Sequence, residues 1–130
     1  MKQLSFIFLF MAGIVIANAN FIHENQSSLK VLTEVKASNV SPFCMAIVKG
    51  DFEIVKKLID MGADVNAKSN GLTPLMYAAK YNRIEILNLL IEKGVNLKAK
   101  DSKKGFTALK FAGLSNATEA KKILEKALDA

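Results

Sequence analysis

The sequence predicts an all-α fold, a solenoid of antiparallel helix pairs stacked side by side, joined by hairpin-like loops and closed by helical caps. Three observations predict it. A block recurs along the chain: Ser41–Ala67 reads SPFCMAIVKGDFEIVKKLIDMGADVNA and Thr73–Ala99 reads TPLMYAAKYNRIEILNLLIEKGVNLKA. Pro42 aligns with Pro74, Glu53 with Glu85, Leu58 with Leu90 and Gly62 with Gly94, each 32 residues apart. A worn third copy from Thr107 keeps Leu109, Asn116, Glu119 and Leu124, 34 residues after their counterparts. Within each copy the apolar residues follow the helical period, and the residues that start and stop helices recur at fixed offsets. A period in this range marks stacked repeats. Such stacks present a surface rather than build a deep pocket, so binding is expected ahead of catalysis.

The amino terminus carries a different signal. Met1–Lys2–Gln3 is a short positive start, Leu4–Ala17 is an apolar run of about 14 residues, and Ala17–Asn18–Ala19 offers small residues at the two positions a signal peptidase reads. This is the pattern of a secretory signal peptide over residues 1–19, cleaved after Ala19. The rival is an uncleaved anchor, but the run is shorter than the ~20 apolar residues a spanning helix needs. Export to the periplasm or beyond the cell is therefore expected. The single cysteine, Cys44, has no partner for an internal disulfide, so the exported fold must stand on its own packing.

Residues 20–40 form a leader. Within it, Asn25–Ala37 can form an amphipathic helix whose Leu29, Leu32 and Val35 pack on the first repeat as an amino-terminal cap. The first repeat spans 41–72, the second 73–106 and the third 107–130. Thr73–Pro74–Leu75 opens a helix, because Thr caps it and Pro suits its first turn. Leu75, Ala78 and Ala79 face inward. Eight residues after each Pro position comes Gly50, Asn82 or Asn116, residues that tolerate a left-handed helix end. The following helix carries Ile54, Val55, Leu58 and Ile59, matched by Ile86, Leu87, Leu90 and Ile91, as one apolar face. Gly62 and Gly94 end it. In the third copy Lys121, Lys122, Glu125 and Lys126 make the last helix polar, as a terminal cap requires.

This unit strongly resembles the ankyrin repeat. The residues that carry the resemblance are Thr73–Leu75, EIVKKLIDMGADVNAK at Glu53–Lys68 and EILNLLIEKGVNLKAK at Glu85–Lys100, over about Ser41 to Leu128. In that family TPL is normally followed by a His that ties neighbouring loops together; here the position holds Cys44, Met76 or Lys110. The resemblance therefore implies a weakened polar ladder between repeats, with packing to compensate. Loop lengths also depart from the pattern: SNG before Leu72 is one residue short and DSKKG before Phe106 one long.

Little chemistry is written into the rest. The one His, His23, lies in the leader, and no cluster of His, Cys and carboxylates has metal-ligand spacing. Cys44 occupies a helix-packing position with no His in its repeat and reads as a small buried hydrophobe. Glu53, Glu85 and Glu119 recur in register and belong to the scaffold. No catalytic, cofactor or metal site is expected, and the protein is not expected to be an enzyme. Nucleic acid fits poorly as a partner, given the modest charge, +6 overall, and the expected export. The charge is uneven: Lys98–Lys126 holds eight Lys against Asp101, Glu119 and Glu125, which favours an acidic partner protein. An anionic membrane or envelope surface is the alternative.

By the resemblance, a partner protein contacts the loop tips and the exposed side of the first helix in each pair. The loop tips are Asn70, Leu72, Ser102, Lys103, Lys104 and Phe106. The helix positions are Val48, Lys49, Lys80, Tyr81, Leu114 and Ser115. Val48, Leu72, Tyr81, Phe106 and Leu114 are apolar where scaffold packing does not demand it, and apolar residues rimmed by Lys suit a protein interface. The competing reading is that Leu72 and Phe106 cover the next loop and Leu114 the cap. The expected role is that of an inhibitor, immunity partner or accessory factor for an exported enzyme.

Overall fold

The structure, a computed structural model, describes residues 39–130, which form one compact unit. The expected signal peptide and the amino-terminal capping helix lie outside the described residues.

Six helices follow one another as three antiparallel pairs: α1 (Pro42–Lys49) with α2 (Phe52–Asp60), α3 (Pro74–Lys80) with α4 (Ile84–Glu92), and α5 (Ala108–Leu114) with α6 (Thr118–Asp129). The described residues contain no strand, only an isolated bridge between Ser69 and Leu72. The first helices of the pairs stack on one another to form one layer, α1 on α3 on α5, and the second helices form the other, α2 on α4 on α6.

Local chemistry sets each start. Ser41, Thr73 and Thr107 cap α1, α3 and α5 by accepting a hydrogen bond from the backbone N–H of Cys44, Met76 and Lys110, at 3.2, 3.3 and 3.3 Å. Pro42 and Pro74 fill the first turn, where no N–H is required. The first helices end on Gly50, Asn82 and Asn116, with φ of 75, 53 and 54°. One left-handed turn thus occurs three times, as the spacing predicts. Glu53, Glu85 and Glu119 each stand in the first turn of a second helix, where a carboxylate opposes the positive end of the helix dipole.

The core runs between the layers and is densest in the middle pair, where Leu75, Met76, Ala78, Ala79, Leu87 and Leu90 are all sealed from solvent. On the second helix of the first pair, Ile54 departs from the sequence expectation. Ile54 was expected to share the buried apolar face of α2, yet it is 49% exposed, whereas the aligned Ile86 is 2% exposed. Ile86 has α2 beside it. By the repeat geometry Ile54 faces away from α4. Burial at that position is supplied by the neighbour and not by the helix itself.

Loss of the family's loop His does not leave the repeats untied. Arg83 Nε and Nη2 both donate to the Val48 carbonyl oxygen, at 3.0 and 2.7 Å, joining the second pair to the first. Asn82 Oδ1 accepts from Ala120 N at 3.4 Å, and Asn66 Oδ1 accepts from Asn96 N at 2.9 Å. Ser41 N donates to Ser69 Oγ at 2.7 Å, and the buried Tyr77 hydroxyl donates to the Ser69 carbonyl at 2.8 Å. The expected weakening of the polar ladder is therefore a relocation. Arg83 occupies the N-cap position of α4 but makes no side-chain cap bond there. It spends its guanidinium on the neighbouring pair instead. Gly50 makes room for it, since a Cβ at Gly50 would meet the Arg83 guanidinium carbon at 3.1 Å.

Candidate partner-binding surface

The helix positions singled out from the sequence lie at the carboxyl ends of α1, α3 and α5, one repeat after another. They differ in freedom. Val48 is half-buried against the core and its carbonyl is taken by Arg83, so its side chain serves the stack. Lys49, Lys80 and Ser115 are exposed. Tyr81 is 42% exposed, with Lys80 Nζ 5.5 Å from its ring centroid. Leu114 is 59% exposed, a large apolar side chain in solvent. The reading of Leu114 as a cover for the cap does not fit that exposure.

Of the loop positions, Asn70 is exposed and sits in the left-handed region at φ 51°, followed by Gly71 at φ 83°. Leu72 is half-buried and packs on the core, so here the packing reading holds. Ser102 N donates to the Gly71 carbonyl at 3.0 Å, linking the two loops, and the Ser102 Cβ sits where a Gly71 side chain would stand, at 3.3 Å.

The residue that organises the second loop is Asp101, which sequence reasoning did not single out. Its carboxylate accepts from the backbone N–H of Lys103 at 3.0 Å, of Lys104 at 2.9 Å, and of Phe106. The loop wraps around it until it is 6% exposed. These bonds, that from Lys104 foremost, hold the Asp101 carboxyl below its ordinary range, with the Lys104 charge adding to them. The signal was present in DSKKG: an Asp preceding a Gly-ended turn commonly folds back on the backbone that follows.

Latched in this way, the loop fixes Phe106. Its ring meets Phe111 edge-on, centroids 6.0 Å apart at 69°, while Lys104 Nζ and Lys110 Nζ stand 5.8 and 5.9 Å from its centroid. Lys103 and Lys104 are themselves exposed. The structure thus brings Phe106, Lys104 and Lys110 together and leaves Tyr81 with Lys80 as a separate contact on the second pair.

Among the described residues no group of three or more His, Cys, Asp or Glu is placed to hold a metal ion. Burial pushes the Cys44 thiol up, partly offset by its hydrogen bond with the Ser41 side chain, which keeps it from acting as a thiolate. No helix among the described residues is long and apolar enough to cross a membrane.

Comparison with known proteins agrees with this surface character. The family model for ankyrin repeats (3 copies) matches residues 17–101 and 43–129. A search of curated protein sequences finds no match. Among solved structures 418 chains match, so likeness of shape marks the fold and little more. One match is a chain in the structure of the Bd0816 predatory endopeptidase from Bdellovibrio bacteriovorus in complex with immunity protein Bd3460. It is 36% identical, with a TM-score of 0.64. The match covers 69% of this chain and 47% of that one, so this chain spans about half its length. Ankyrin repeats are a non-enzymatic interaction module, and both the repeat model and the stacked helix pairs say that this chain belongs to the ankyrin-repeat family.

Proposed function

We propose that the chain is an exported ankyrin-repeat module that binds a periplasmic or secreted partner protein stoichiometrically, as the inhibitor or immunity partner of an exported enzyme. The observation that carries this reading is the 36% identity to a chain from a complex between a predatory endopeptidase and an immunity protein. The amino-terminal pattern of Lys2, the apolar run and Ala17–Asn18–Ala19 supports export. Exposed Tyr81 and Leu114, with the Lys-flanked Phe106, supply the anchors such an interface uses. On this reading the chain has no activity of its own. It acts by covering its partner.

The test is capture by the tagged chain from its own envelope fraction, followed by mass spectrometry and an activity assay of whatever hydrolase is recovered. A one-to-one complex with reduced hydrolase activity is expected. Tyr81→Ala should weaken that capture while leaving the melting temperature near wild type. An active, undiminished hydrolase in the complex would favour an accessory role, and no captured protein would sink the reading.

A second reading rests on the eight Lys between Lys98 and Lys126. These would hold the protein to an anionic membrane or envelope surface. Vesicles containing phosphatidylglycerol would then bind the chain at low salt and release it at high salt.

A further inference from the structure

The third helix pair shows solvent a face that the first two pairs bury. Leu109, Lys110 and Gly113 occupy the positions of Leu75, Met76 and Ala79 in the second pair and of Phe43, Cys44 and Ile47 in the first; all six of those are buried. In the third pair the same positions open into a groove of about 480 Å³, lined by Thr107, Leu109, Gly113 and Leu114 and flanked by Lys110 and Lys121. That volume lies in the range of sites that take ligands or side chains, about 300–1,000 Å³.

Two details argue that the groove receives something. Gly113 lies inside α5 with a helical backbone, and a Cβ built there meets nothing within 4 Å. Glycine inside a helix is less favourable than alanine, and no crowding within the described residues requires it. What it provides is depth between Leu109 and Leu114. Leu114 is the second detail: it replaces Lys80 of the second pair and, unlike its half-buried first-pair counterpart Val48, is 59% exposed, adding an apolar wall in solvent.

Charge defines the occupant. Lys110 flanks the groove and also reaches the Phe106 ring, where Lys104 joins it, so groove and loop form one continuous patch. Among the described residues the ion pair at this patch is the long contact of Lys121 with Glu125, at 3.8 Å, while the Asp101 carboxylate is turned onto its own loop. We infer that this groove is a docking site for an acidic, apolar segment of the partner protein, with its leucine-like side chains over Gly113 and its carboxylates at Lys110 and Lys121. The inference rests on the protein-binding reading above and names where on the chain the partner engages. A second copy of the chain is a poorer occupant, because pairing two such faces would set their lysines against each other.

The experiment is amide chemical-shift mapping on the isotope-labelled full-length chain, titrated with a short peptide of alternating Glu and Leu and with its Lys–Leu counterpart. Shifts confined to α5 and the first turn of α6 are expected from the acidic peptide alone, weakening in high salt. Gly113→Phe fills the groove from an open position and should weaken peptide binding at least about tenfold with an unchanged or raised melting temperature. Leu114→Lys, at an exposed site, should do the same. Equal binding of the basic peptide, shifts spread over every Lys-bearing surface, or wild-type binding by Gly113→Phe would each overturn the inference. So would shifts produced by phosphatidylglycerol vesicles but not by the peptide, or self-association that Gly113→Phe abolishes. If an envelope protein is captured equally by wild type and Gly113→Phe, the groove is not the docking site and the inhibitor reading stands. If the peptide binds the groove while no envelope protein is captured, the inhibitor reading fails and the groove's chemistry remains.

Discussion

The second and third helix pairs carry the same pattern and meet different surroundings. Leu75 and Ala79 of the second pair are sealed between neighbours, while their counterparts Leu109 and Gly113 border an open groove. In the second pair a substitution is felt as a cavity; in the third it alters a surface. The polar ties follow the same division. Arg83 and Asn82 bind the second pair to both its neighbours, to the Val48 carbonyl on one side and the Ala120 amide on the other. The third pair is fixed mainly from one side and keeps its Asp101 latch for its own loop. The repeat is therefore a scaffold where it is flanked and an open surface where it is not.

Paired alanine substitutions test the contrast most strongly. Leu75→Ala should cost about 2–5 kcal/mol through the cavity it leaves, and Leu109→Ala only about 1 kcal/mol from lost area, both read from urea melts. Equal losses would mean that the third pair is packed as tightly as the second. Arg83→Ala should cost about 1–3 kcal/mol, because it removes two charge-assisted hydrogen bonds and strands the Val48 carbonyl; Arg83→Lys should recover only part of it.

Asp101→Asn addresses the loop rather than the stack. Hydrogen exchange at the amides of Lys103, Lys104 and Phe106 should quicken while the core amides stay protected. The same bonds set a pH dependence. The folded carboxyl titrates below its ordinary value of 3.8, so the latch is complete at neutral pH and is lost as the pH falls through that lower folded value. Loop amides that begin to exchange faster on raising the pH from neutral, beyond the intrinsic rate, would contradict this sign.

Smaller effects complete the comparison. Gly113→Ala should stabilise the chain by up to about 1 kcal/mol, since its helical backbone and open surroundings accept a methyl group. Gly50→Ala should move the other way, because φ is 75° and the Arg83 guanidinium lies 3.1 Å from the new atom. Lys121→Ala breaks an exposed ion pair of 3.8 Å and should change stability by less than about 0.5 kcal/mol.

Much of this architecture was legible beforehand because repetition exposes it. Pro42 with Pro74, the turn at Gly50, Asn82 and Asn116, and the in-register glutamates depend on neighbours within a few residues, and such short-range chemistry is written directly in the chain. Tyr81 and Leu114 are exposed, apolar residues at positions the repeat leaves outside. The tie made by Arg83 was not legible, because its partner Val48 is 35 residues away and no local pattern links them. Asp101 carries a local signal, since DSKKG places an acceptor ahead of a Gly-ended turn. Val48 and Leu72, apolar where the repeat suggests surface, are half-buried, and Ile54, on the apolar face of α2, is exposed.

The sequence by itself determined the helix pairs, their order, and their caps and turns, since each of these follows from periodicity and from short-range backbone hydrogen bonding; the family came from the motif resemblance at Thr73–Leu75, Glu53–Lys68 and Glu85–Lys100. Only the tertiary structure decided which copies of a repeated position are buried, how the missing loop His is replaced, and where the groove opens beside Gly113. Burial, long-range hydrogen bonds and open volume are properties of a position's neighbours, and an identical residue in two repeats has different ones.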